Sequence, residues 1–125
     1  MIEVSFNGRP QAIATAQALR AALARFDADA TRYELWLSVP DGPSLCMLRS
    51  EADAWLMYLR HPGDHGFSSE GDASREGVAL YTLSNGQVDE YPLAWCIALP
   101  QCHEAAVHFF ASAGQRFEGI AWREG

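Results

Sequence analysis

Tyr33-Glu34-Leu35-Trp36-Leu37-Ser38-Val39, followed by Pro40-Asp41-Gly42-Pro43 and the segment 45–49, is the stretch that decides the fold. Tyr33, Leu35, Leu37 and Val39 alternate with Glu34, Trp36 and Ser38, the two-residue period of a strand with one buried face. Pro-Asp-Gly-Pro is turn chemistry, so residues 45–49 return antiparallel and the two segments form a hairpin. Residues 50–53 make the next reversal. Residues 55–59, rich in aromatic and apolar side chains, add a third strand, which His61-Pro62-Gly63 ends because proline cannot donate to a ladder. The central chain is therefore an antiparallel meander.

Upstream, residues 2–6 alternate as a short strand that Asn7-Gly8 terminates in a turn. Ala12, Ala16, Leu19, Leu23 and Phe26 then recur at three- and four-residue spacing, predicting an amphipathic helix over residues 12–26 in an alanine-rich segment. Downstream, residues 78–83 and 87–91 flank Ser84-Asn85-Gly86, an Asn-Gly turn signal of a hairpin. Residues 93–99 are a continuous apolar run, read as a buried strand or the buried lead-in to a helix. That helix starts at Pro100, which suits the first helical position, and stops at Gly114. Its Cys102, Ala106, Phe109 and Ala113 share one face, with Gln101, Glu104, His108 and Ser112 opposite. A last strand falls around residues 120–123. The prediction is an α+β domain: a twisted antiparallel sheet of meander and hairpins, with an N-terminal and a C-terminal helix packed on one face.

The chain has 125 residues, 49% of them hydrophobic and 20% charged, which fits a single domain spanning residues 1–125. No apolar run approaches the roughly 20 residues of a bilayer span, and no charged region precedes an apolar one at the start, so a cytoplasmic location is expected. Cys46, Cys96 and Cys102 match no zinc or redox spacing and read as buried free thiols. Sixteen acidic residues oppose nine basic ones, all arginine, giving a formal charge of -7. That balance argues against direct nucleic-acid binding, which needs a basic patch, and it suits a basic protein partner. A zinc deaminase would need His-x-Glu with Pro-Cys-x-x-Cys, and only Pro100-Gln101-Cys102 occurs. Neither a Gly-x-Ser-x-Gly elbow nor a glycine-rich phosphate loop opening a helix is present, so no enzyme activity is expected.

The last third carries a family likeness. Glu90-Tyr91-Pro92-Leu93, the apolar run to Leu99-Pro100, a helix through Phe109-Phe110, then Gly114-Gln115-Arg116-Phe117 and Ile120-Ala121-Trp122 follow one another in order. This resembles the immunity family numbered one of bacterial polymorphic toxin systems, which includes antidotes to DNA deaminase toxins. In that family a strand near a proline leads into a helix with a Phe in its last turns, and a Gly-x-Arg-Pro turn and a hydrophobic-x-Trp close the pattern. Phe117 stands where the family often has proline. Residues 78–125 carry the motifs, and the first 60 residues match by element order. The resemblance implies an antitoxin that binds a cognate toxin domain in a 1:1 complex and occludes its active site. The implied partner is basic and nucleic-acid-targeting, a deaminase in the first instance, and neither cofactor nor membrane is involved.

Residues 61–76 form the longest stretch without periodicity, with four acids, two histidines and an isolated Phe67. A loop of that length in a compact domain points to function. Asp64, His65, Phe67, Glu70 and Asp72 are the partner-binding candidates, the acids facing cationic groups that otherwise hold nucleic acid and Phe67 serving as an apolar anchor. Asp89, Glu90 and Tyr91 form a second patch. The alternative is a small ligand- or metal-binding domain using the same loop, with His61, Asp64 and His65 as ligands. Pro62-Gly63 weighs against it, since no helix can bring the two imidazoles to one face. Trp36 lies on the polar side of its strand and would serve as an interface anchor if exposed.

Overall fold

A computed structural model describes residues 2–125. The elements run β1 (Glu3–Phe6), β2 (Arg9–Gln11), α1 (Ala16–Asp29), β3 (Arg32–Ser38), β4 (Ser44–Ser50), β5 (Asp53–Leu59), β6 (Phe67–Glu70), β7 (Val78–Thr82), β8 (Val88–Pro92), β9 (Ile97–Ala98), α2 (Leu99–Ala111) and β10 (Ala121–Glu124). The main sheet is antiparallel in the order β10-β6-β5-β4-β3-β1-β2, with β9 paired to one end of β5. β7 and β8 make a separate two-stranded sheet. This is the expected α+β arrangement with a helix near each terminus. No helix among the described residues is long and apolar enough to cross a membrane.

Two cores follow from the composition of β4. Leu45, Cys46, Met47 and Leu48 are all buried, which a strand achieves only when both faces of its sheet are covered. One face carries Leu35, Leu37, Met47 and Leu56 against Leu19, Leu23 and Phe26 of α1 and Cys102, Ala106 and Phe109 of α2. The other carries Cys46, Leu48 and Trp55 against Ala79 and Tyr81 of β7. A one-sided sheet is the reading of β3 alone, where Trp36 falls on the polar register. In the structure Trp36 is half-buried against the second core and its Nε1 donates to Glu34 at 2.8 Å, so it is not a free anchor.

Several boundaries differ from the sequence reading. The first helix begins at Ala16, not at residue 12, because Thr15 caps it, accepting from the Ala18 amide at 3.0 Å. Residues 9–11, farther upstream, belong to a hairpin the alternation did not reveal: Asn7 and Gly8 both have positive φ, 51° and 78°, and join β1 to β2 in a two-residue turn. At Ser84-Asn85-Gly86 only Gly86 is left-handed, at 90°, and Leu83 donates to Gln87 across a longer loop. Residues 93–99 are neither one strand nor one lead-in, but a 3-10 turn at Leu93–Trp95, the short β9 and the first residue of α2. The stretch 61–76 is not all loop, since β6 lies inside it and fills the gap between β5 and β10. α2 ends at Ala111 with Ser112 as its C-cap, short of the expected stop at Gly114, and beyond it Ala113 is left-handed at 58° and the Gly114 amide donates back to Phe109 at 2.8 Å. All three cysteines are buried free thiols.

Candidate partner-binding face

Asp64 sits in the turn after β5, and its carboxylate is already committed. Arg60 reaches it with Nε at 2.8 Å and Nη2 at 2.9 Å, and the Arg60 amide adds a third bond at 3.0 Å. The Asp64 side chain is 2% exposed, and Arg60 holds its carboxyl well below the usual carboxylate range. Phe67, at the start of β6, is half-buried with the Arg60 and Arg116 guanidinium carbons 5.2 and 4.5 Å from its ring centroid. Between these two packed residues His65 is exposed. His61 directs Nδ1 to within 2.9 Å of the Pro62 carbonyl oxygen. Among the described residues no group of three or more His, Cys, Asp or Glu side chains is arranged to hold a metal ion.

Beyond β6 the chain stays acidic and becomes accessible. Glu70 and Asp72 are exposed, and Asp72 accepts from the Ser74 hydroxyl at 2.6 Å and the Ser74 amide at 2.9 Å, bonds that lower its carboxyl pKa. Arg75 pins this loop to the sheet through Asp53 at 2.9 Å. Gly71 donates to the Ala94 carbonyl at 2.8 Å, and a Cβ there would come within 2.1 Å of the Cys96 carbonyl oxygen, so only glycine permits this approach. Glu70, Asp72, Asp53 and Arg75 together rim an open depression of about 450 Å³.

The same loop leads into the β7–β8 hairpin, where the Leu93 amide donates to Gly77 at 3.0 Å. Tyr91 faces inward and stacks on Trp55 at 4.1 Å between ring centroids, 9° from parallel. Burial and the neighbouring Asp89 carboxylate raise its phenol pKa to about 12. Asp89 is half-buried and accepts from Gln87 Nε2 at 2.6 Å and from Tyr91 Oη at 3.3 Å. Glu90 points the other way and is exposed. Thus His65, Glu70, Asp72 and Glu90 are presented to solvent, while Asp64, Phe67, Asp89 and Tyr91 are engaged inside the protein. The two candidate patches are linked by the backbone contacts of residues 71–77 with residues 93–94.

Among the described residues Glu70, Asp72, Glu76, Asp89 and Glu90 form no ion pair, and the only arginine in the segment 67–92 is the one bound to Asp53. By contrast Glu51, Asp53, Asp64, Glu104 and Glu118 each meet an arginine at 3.3 Å or less. A groove of about 1170 Å³ lies at the opposite end of the sheet between Ile2, Ile13, Trp36 and Phe110, and among the described residues lining it only Glu3 is charged. The three thiols are held protonated by burial. The chemistry these residues offer is recognition through solvent-facing carboxylates.

Sequence reasoning did not find Val78, Leu80 and Val88, which are 49%, 48% and 57% exposed. The signal was present in Val78-Ala79-Leu80-Tyr81, a run with no polar alternate residue that nevertheless lies in a two-stranded sheet. A comparison with curated proteins gives no match. A family model described as immunity protein Imm1 matches residues 7–124, nearly the whole chain. The chain belongs to the Imm1 immunity protein family.

Proposed function

We propose that this immunity protein binds a cognate toxin domain one-to-one in the cytoplasm and neutralises it by covering its active site, without chemistry of its own. The observation that carries this reading is the row of exposed, unpaired carboxylates from Glu70 to Glu90 on a chain of net charge -7. A toxin that works on nucleic acid needs cationic groups where the phosphates run, and those groups are complementary to this row. Attraction between the two surfaces steers the encounter and fixes its orientation, and it weakens as salt screens it.

Direct contacts are assigned to His65, Glu70, Asp72 and Glu90. Asp64, Phe67, Asp89 and Tyr91 build the surface beneath them. A deaminase is the proposed toxin class, on the resemblance of residues 78–125 to a family that includes antidotes to DNA deaminases. The test is growth of a host expressing the active toxin domain encoded beside this chain, with and without the chain, together with a deamination assay on nucleic acid in vitro. Restored growth and stoichiometric loss of deamination are expected. Restored growth with a toxin of another chemistry would overturn only the deaminase assignment, and unrestored growth with both proteins present would overturn the immunity reading.

A further inference from the structure

Among the described residues the exposed large hydrophobic side chains all lie on one surface. Val78, Leu80 and Val88 fall on the outward face of the β7–β8 hairpin. The register sets Val78 opposite Pro92, Leu80 opposite Glu90 and Thr82 opposite Val88, whereas Ala79, Tyr81 and Tyr91 point into the second core. The outward face is therefore an apolar stripe with one carboxylate, Glu90, set in its middle. Contiguous exposed apolar surface of this kind marks interaction sites.

The hairpin is held stiff from beneath and at its tip. Trp55 stacks on Tyr91, and Tyr81 Oη lies 2.9 Å from Cys96 Sγ. Glu34 of β3 accepts from the Ser84 amide at 3.0 Å and the Ser84 hydroxyl at 2.8 Å, which ties the loop to the main sheet. A surface fixed in this way loses little freedom on binding.

We propose that the outward face of this hairpin is the hot spot of the toxin interface, taking a toxin surface in which an apolar patch surrounds a cationic side chain that pairs with Glu90. The assignment rests on the immunity role proposed above. Charge selects this occupant over a second copy of the chain. Two such faces packed together would bring the Glu90 of both copies into apolar surroundings, and the arginine nearest to it in sequence, Arg75, is taken by Asp53. Copies that each carry a net charge of -7 also repel. Contacts that exclude water around one charged pair desolvate it, and truncating a partner of such a pair is costly to binding.

Leu80→Ala, Val88→Ala and Glu90→Arg can be titrated against the catalytically inactivated toxin domain encoded beside this chain, with melting of each free variant as the control for folding. Each variant is expected to melt like the wild type, since these side chains are exposed, and to raise Kd at least about tenfold. Glu90→Arg should also flatten the salt dependence. Wild-type binding with all three variants within about twofold of it would overturn the hairpin assignment and leave the immunity role standing. No binding by the wild type would overturn the immunity role itself. Concentration-dependent dimers in sedimentation that Leu80→Ala dissolves would overturn the choice of occupant.

Discussion

Trp55 of β5 and Tyr91 of β8 stack face to face at 4.1 Å, 9° from parallel, and this contact joins the acidic hairpin to the central sheet. Tyr91 was a contact candidate on sequence grounds, and its ring is spent inside the protein. Tyr91→Ala should therefore lower unfolding stability by about 2 to 4 kcal/mol, somewhat under the cost of deleting a fully buried aromatic. Chemical denaturation of the free protein checks it. A variant as stable as wild type would mean the hairpin is not anchored through this stack.

Phe109 is 1% exposed on α2 and meets Tyr58 edge to face at 6.2 Å. Phe109→Ala should cost about 3 to 5 kcal/mol by leaving a cavity at the heart of the helix-covered core. An unchanged denaturation midpoint would contradict the assignment of that face.

The end of α2 supplies a pair of opposite effects. Ala113 occupies a left-handed position, φ 58°, that favours glycine, so Ala113→Gly should stabilise by about 1 kcal/mol. Gly114, at φ 109°, would place a Cβ 2.7 Å from Pro43 Cγ, and its carbonyl accepts from Tyr58 Oη at 2.7 Å. Gly114→Ala should destabilise by about 2 kcal/mol or more. Paired melting curves of the two variants decide the matter.

His103 gives the protein a pH dependence near neutrality. Its Nε2 lies 3.0 Å from Asp27, beside Arg49 and Tyr33, and burial lowers its pKa below the ordinary 6.5 despite the Asp27 carboxylate. Unfolded chains take up a proton as pH falls through about 6.5 while the native imidazole resists it, so stability decreases in that direction. Urea midpoints at about pH 7.5, 6.5 and 5.5 should fall in order, and His103→Asn should flatten the decline. Asp64 and Glu104, whose carboxyls their arginine partners lower, stabilise the fold at pH above the ordinary carboxylate range, and that stabilisation is lost as pH falls from that range toward their lowered values.

How far the sequence could be read depended on whether a signal was local. The β3–β4–β5 meander was legible because alternation and turn chemistry sit in the chain itself, and α2 because Pro100, Phe109 and Gly114 mark its start, buried face and end. β6 was not legible, since Phe67–Glu70 has no period and becomes a strand only because β5 and β10 offer edges on either side. The start of α1 was misplaced because Ala12 falls in register with the stripe of Ala16, Leu19, Leu23 and Phe26, while Thr15 caps the helix three residues later. Within the candidate face, residue type pointed to the acids. It could not show that Arg60 claims Asp64, or that the hairpin turns Glu90 outward and Tyr91 inward, because both depend on partners distant in sequence or on which face is covered.

The central claim is tested most directly by calorimetry of the purified chain against the inactivated toxin domain encoded beside it, at low and at moderate salt. The account predicts one-to-one binding at about nanomolar Kd or tighter that weakens as salt rises. No heat and no co-elution would contradict it, and tight binding indifferent to salt would contradict its electrostatic part.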